Sequence, residues 1–176
     1  ASRQERKKLE ISETVDVITR QQMEEQNITT WEEMVRHIPG VTVDRKTSGA
    51  DPFGNIGGFT IRGVSGNRVQ MQVDGARVIE SIADGNRSFV DLSTMKAVEI
   101  IRGPGSVLWG ADALGGVVAF KTLDPYDLLT GEKPWAGRAS VGYDSLTRQF
   151  SQSAMLATQM SPETQGLFSI THRTYH

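Results

Sequence analysis

The chain has 176 residues, 23% of them charged, with a formal net charge of −2 and no cysteine. That length allows one or two domains with a real core. The composition excludes a disulfide framework and thiolate metal sites, and the densest basic stretch, Arg-Gln-Glu-Arg-Lys-Lys at 3–8, is interrupted by an acid, so nucleic acid is not the expected partner. No apolar run approaches the ~18 residues of a membrane-spanning helix, although strands that cross a membrane alternate and would leave no such run.

Residues 1–12 are polar and read as a flexible lead-in or a solvated tail. From Glu13 the sequence alternates, predicting a short strand that ends at Thr19. Thr19 with Gln22, and Thr30 with Glu33, fit the Thr-x-x-Glu/Gln capping box, so two short helices follow. In the second, Trp31, Met34, Val35 and Ile38 form one apolar stripe, read as core packing, which Pro39-Gly40 terminates.

A strand at 41–43 leads into an aperiodic Gly/Asp/Asn/Pro-rich loop at 44–58. Strands are expected at 59–62 and 68–73 around a hairpin connection at 64–67, then a turn at Asp74-Gly75 and a strand at 77–79. A second irregular loop occupies 80–89. The segment 89–122 reads strand, Gly-Pro-Gly turn, short apolar turn, Gly-Gly pair, strand; Val98 to Ile101 and Val117 to Phe120 are nearly all apolar, as in strands buried on both faces. Its glycines, Gly103, Gly105, Gly110, Gly115 and Gly116, sit where backbone turns tightly or approaches other backbone. Residues 123–136 contain two prolines and a glycine and read as a connector. Beyond it the chain alternates through 139–143, 150–160 and 166–175, with a Ser-Pro-Glu-Thr turn, as either membrane-barrel strands or soluble hairpins do. Short helices between strands without regular βαβ units give an α+β fold with a small mixed sheet.

No catalytic constellation is visible. The histidines His37, His172 and His176 lie in no nucleophile motif and no metal-binding spacing, so no metal site is expected. His37, near a helix end, suits the C-terminal dipole.

Four stretches, ETVDVITRQQM at 13–23, TTWEEMVRHIPGVTV at 29–43, FTIRGVSGNRVQMQVDGARV at 59–78 and AVEIIRGPGSVLWGADALGGVVAFKT at 97–122, resemble in residues and order the plug domain of TonB-dependent outer-membrane receptors. The reading Val-Asp-Gly, then Val-Glu-Ile-Ile-Arg-Gly-Pro, then Trp-Gly-Ala-Asp-Ala-Leu-Gly-Gly-Val is most similar to the haem and haemoglobin receptor branch. The resemblance implies a lead-in at 1–12, a plug at 13–122, a connector at 123–136 and the first antiparallel strands of a transmembrane β-barrel at 137–176. It also implies a Gram-negative outer-membrane location and contact with lipid through the barrel. No enzymatic activity and no intrinsic cofactor are expected. A plugged barrel has about 22 strands of roughly 10 residues, so a fragment of a longer receptor is expected. By the same resemblance, the box that docks the TonB energy-coupling protein lies just upstream of Ala1.

The ligand implied is haem, alone or from a haemoprotein, with a ferric siderophore second and a vitamin or sugar possible. The two irregular loops would face it through Arg45, Lys46, Phe53, Asn55, Asp84, Asn86, Arg87 and Phe89, residues that a solvated loop would equally carry. Haem receptors of the family commonly supply an axial histidine from a plug loop; these loops hold none, which weakens the haem assignment or moves the iron ligands to barrel loops. Arg62, Glu99 and Arg102 stand in strands otherwise apolar, where an unpaired charge is costly, so each is expected to be paired with another of the three or with acids on a barrel wall. In the family the matching positions help lock plug to barrel, which implies a releasable latch; the plain alternative is surface residues on an edge strand.

The rival class is a soluble phosphate-binding α/β enzyme using Gly103-Pro-Gly-Ser106 or Gly54-Asn-Ile-Gly-Gly58 as an anion cradle. No Gly-x-x-x-x-Gly-Lys-Ser/Thr is present, no Gly-x-Gly-x-x-Gly follows a strand, and Pro104 removes one amide such a loop needs. A free-standing interaction module would need its own closed core.

Overall fold

The computed structural model describes residues 14–45, 56–78, 91–103, 113–131, 133–145 and 148–174. The chain divides into two compact units, Ala1–Thr122 and Leu123–His176.

In the first unit the chain forms β1 (Thr14–Thr19), α1 (Arg20–Glu25), α2 (Trp31–Val35), β2 (Val41–Arg45), β3 (Ile56–Ile61), β4 (Val69–Val73), β5 (Ala76–Val78), β6 (Met95–Arg102) and β7 (Gly116–Thr122). Both capping boxes form: Thr19 accepts from the Gln22 amide and Thr30 from the Glu33 amide, while the Gln22 and Glu33 side chains reach back. Such caps decide helices this short, because two turns or fewer do not hold themselves. Burial would raise the Glu33 carboxyl, but the amides of Thr29 and Thr30 outweigh it and hold its pKa below the ordinary value.

Five strands make one mixed sheet in the order β1-β6-β7-β4-β5, with β4 and β7 parallel and the other pairs antiparallel. β2 and β3 form a separate antiparallel pair. The expected hairpin between 59–62 and 68–73 is therefore corrected: β3 pairs back to β2, β4 enters the large sheet, and a 3-10 turn at Gly66–Arg68 stands between them. Arg62 correspondingly lies in a turn, not in a strand. The Asp74-Gly75 turn does form, as a type I′ hairpin with φ of 48° and 83°. The Asp74 carboxylate accepts from the Thr122 amide at 3.0 Å and its hydroxyl at 2.6 Å, closing the end of β7.

One sheet face packs Val69, Met71, Val98, Ile100, Val118 and Phe120 against Met23, Trp31, Met34 and Phe59. Trp31 meets Phe120 edge-on at 5.3 Å and Phe59 at 6.1 Å. The other face buries Val15, Ile101, Ala113 and Val117. β6 and β7 are thus covered on both sides, as their unbroken apolar runs predict.

The second unit holds α3 (Pro125–Leu128), β8 (Trp135–Asp144), β9 (Gln149–Ser161) and β10 (Thr164–Thr174), the strands forming an antiparallel sheet in the order β10-β9-β8.

Two-sided burial leaves no room at the entry to β7. A Cβ on Gly116, whose φ is +150°, would strike the Ile101 carbonyl oxygen and lie 2.9 Å from Ile61 Cδ1; one on Gly115 would lie 2.7 Å from Val64 Cγ1. G116A should destabilise the first unit by about 1–3 kcal/mol. G75A, whose methyl meets open space at a positive φ, should cost about 1 kcal/mol. Hydrogen exchange of the β6 and β7 amides measures both.

Candidate functional site

Two of the three expected charged residues converge on one corner. α2 runs into Pro39-Gly40, with Gly40 at φ 74°. Arg102, at the end of β6, donates from Nη1 to the Pro39 carbonyl at 2.8 Å. Ile61-Arg62-Gly63-Val64 is a tight turn: Ile61 and Val64 exchange backbone hydrogen bonds of 2.9 Å, with Arg62 at φ 50° and Gly63 at φ 81°. The Arg62 amide donates to the Gly40 carbonyl at 2.7 Å, and the Arg62 Cγ lies beside Gly40. An arginine in this left-handed conformation costs about 1 kcal/mol that Gly or Asn would not. Its guanidinium is exposed while its backbone holds the corner.

Arg102 is directed inward. Its Nη2 lies 2.7 Å from Asp16 Oδ2 on β1, and the side chain is only 12% exposed. The ion pair is close but badly aligned: Asp16 Oδ2 and Arg102 Nε are both buried without completing a hydrogen bond. One guanidinium thus ties β1, β6 and the α2–β2 corner.

Glu99 is elsewhere. It projects from the opposite face of β6 and pairs with Lys121 of β7 at 2.9 Å. Burial pushes the Glu99 carboxyl up, the hydrogen bond from Lys121 opposes it, and the net direction is downward. In the structure the three residues are therefore paired inside the unit or exposed, and not with one another.

Of the expected ligand-facing residues, Arg45 is placed only as backbone, at the end of β2 opposite Ile56. Lys46, Phe53, Asn55, Asp84, Asn86, Arg87 and Phe89 lie outside the described residues, as do Gly105, Gly110 and His176. Among the described residues no cluster of metal-binding side chains occurs.

Sequence reasoning missed Arg20. Its Nε donates to the Met95 carbonyl at 2.8 Å and its Nη2 to that of Leu92 at 2.5 Å, pinning α1 to the turn that starts β6. No local pattern marks it.

The register of β8–β10 shows which of their residues share a face. One face carries Trp135, Ala139, Val141 and Tyr143 of β8, Phe150, Ala154 and Leu156 of β9, and Phe168 and Ile170 of β10, interrupted by Gln152, Thr158 and His172. Its large side chains are exposed, Val141 and Ile170 at 71% each. The opposite face carries Arg138, Ser140, Ser151, Ser153, Ser169, Thr171 and Arg173, with a 2.6 Å hydrogen bond between Ser140 and Ser153, and also Leu167 and the buried Met155 and Ala157. The mostly apolar face thus has its large side chains exposed, with aromatics toward both ends.

Residues 7–117 match the family described as TonB-dependent Receptor Plug Domain. The chain is 35% identical to lactoferrin-binding protein A of Neisseria meningitidis over 134 residues, which is 69% of this chain and 14% of that protein. It is 35% identical to the hemin receptor of Yersinia pestis over 131 residues, 73% of this chain and 18% of that protein. Among solved structures, the FrpB iron transporter of Neisseria meningitidis in its apoprotein form superposes with a TM-score of 0.73 at 28% identity, covering 92% of this chain and 24% of that one. The chain thus spans less than a fifth of the length of these two curated relatives.

K121M should raise the Glu99 pKa and cost about 1–3 kcal/mol at neutral pH. A depressed carboxyl stabilises above its unfolded value of 4.5 and loses that contribution as pH falls through the lower native value. The variant's stability, followed by urea unfolding between about pH 3 and pH 6, should therefore fall less steeply on acidification than the wild type's.

Proposed function

The chain belongs to the TonB-dependent receptor plug-domain family, a family of outer-membrane transporters of Gram-negative bacteria and not of enzymes, and from that membership we propose that it supplies the plug and first wall strands of an active importer of an iron-containing ligand, haem first. The observation that carries this reading is the match to a hemin receptor over most of the chain at 35% identity. In this reading a TonB coupling protein engages a segment upstream of Ala1, and the ligand is met by the loops bearing Arg45, Lys46, Phe53, Asn55, Asp84, Asn86, Arg87 and Phe89. Iron ligation falls to other loops, since these carry no histidine.

Arg62 and Arg102 divide the latch between them. The exposed guanidinium of Arg62 is free to meet an acid on an enclosing wall, and a polar contact of that kind exchanges with water where an apolar one would not. Arg102 stabilises the corner that presents it. Glu99 contributes through Lys121, within the plug.

The three strands act as barrel wall, with the apolar face toward lipid. Phe150 to Met160 spans about 34 Å along β9, or about 26 Å at the tilt of a barrel strand, which is the height of a membrane-facing apolar band. A154R, on the apolar face, should cost about 2–4 kcal/mol of membrane stability, whereas S153R, one residue along and on the polar face, should be tolerated; heat-modifiability of the intact receptor on gels compares them. Titration of the intact receptor with hemin should give a saturable absorbance shift. A receptor that ignores hemin and binds a ferric siderophore instead would move the assignment to the second ligand class.

A further inference from the structure

We propose that Asp16 is a positioning residue that couples edge strand β1 to the exposed guanidinium of Arg62, through Arg102 and the Pro39-Gly40 corner, so that detaching β1 releases Arg62. The inference rests on the reading above in which Arg62 locks the plug to a surrounding wall. The contacts are continuous: Asp16 to Arg102 at 2.7 Å, Arg102 to the Pro39 carbonyl at 2.8 Å, and the Arg62 amide to the Gly40 carbonyl at 2.7 Å. They cross from β1 to β6, from β6 to the α2–β2 corner, and from that corner to the turn after β3.

Three features make this a switch and not merely a brace. β1 is an edge strand, paired with β6 alone among the described residues, so it can leave the sheet without breaking any pairing but its own. The Asp16–Arg102 pair is held by charge with poor alignment, since Asp16 Oδ2 and Arg102 Nε complete no hydrogen bond. Once β1 departs, the guanidinium loses its counter-charge and keeps one neutral carbonyl, that of Pro39, so the charge-assisted contact that orients it toward the corner is lost with the strand. Arg62 holds its φ of 50° against intrinsic preference, and the hydrogen bond from its amide to Gly40 is the contact that ties this strained residue to the corner.

The test uses the intact receptor and three variants. D16N keeps the side-chain size and removes its charge; D16E restores the charge. Amide exchange at Arg62 should accelerate at least about tenfold in D16N, the scale of a lost charge-assisted contact, and return toward wild type in D16E, while hemin affinity without energisation stays unchanged in both. Acceleration confined to residues 14–19 and 95–102, with Arg62 unaffected, overturns the coupling. In the wild-type receptor, which avoids any folding defect, the amides of residues 15–18 and of Arg62 should open with the same denaturant dependence; separate dependences equally overturn it. In energised hemin uptake, D16N/R62A should be no worse than R62A alone, and multiplicative losses argue against a shared path. Should R62A leave uptake intact while D16N still frees the Arg62 amide, the lock reading fails and the coupling stands.

Discussion

The fold depends on the close approach of β7 to β6 and the turn after β3, where Gly115 and Gly116 leave space for Val64, Ile61 and the Ile101 carbonyl. In a unit this small, two central strands must be covered on both faces, because no other arrangement buries enough apolar surface. That demand brings the β2–β3 pair and α2 onto one face of the sheet. With them come Pro39-Gly40 and the turn at Arg62. The arginine corner is thus a by-product of core packing: it forms where the last residue of β6 emerges from the sheet beside the end of a helix.

What was legible in the sequence was local. Thr19 with Gln22 and Thr30 with Glu33 announce helix starts because the hydrogen bonds they make span three residues. Asp74-Gly75 announces a type I′ turn because both residues accept positive φ. The Trp31, Met34, Val35, Ile38 stripe reports its buried face directly. What was hidden was pairing between distant segments. Nothing in β3 or β4 says that neighbours in sequence belong to different sheets, and the Gly and Asn of the intervening turn mimic a hairpin signal.

The charged residues show the same division. That Arg102 and Glu99 need partners follows from the apolar run around them. Which partners they take does not: Asp16 and Lys121 are fixed by antiparallel registers that place Thr14 opposite Arg102 and Glu99 opposite Ala119. Arg62 was misread as a strand residue because its left-handed conformation runs against propensity, and only the following glycine hints at it. Such disagreement between local preference and observed backbone is expected at positions with work beyond folding.

The exposed oily face of β8–β10 carries a consequence for biogenesis. Within the described residues, β8 and β10 are the open sides of their sheet, and each presents a strand edge beside tryptophan, tyrosine and phenylalanine side chains. On the way from ribosome to bilayer, such a ribbon would nucleate stacking with any similar ribbon it met. As part of a barrel wall, it would need an escort that masks both edges until other strands pair with them. The preceding unit, with its greasy residues already folded inward, makes no such demand.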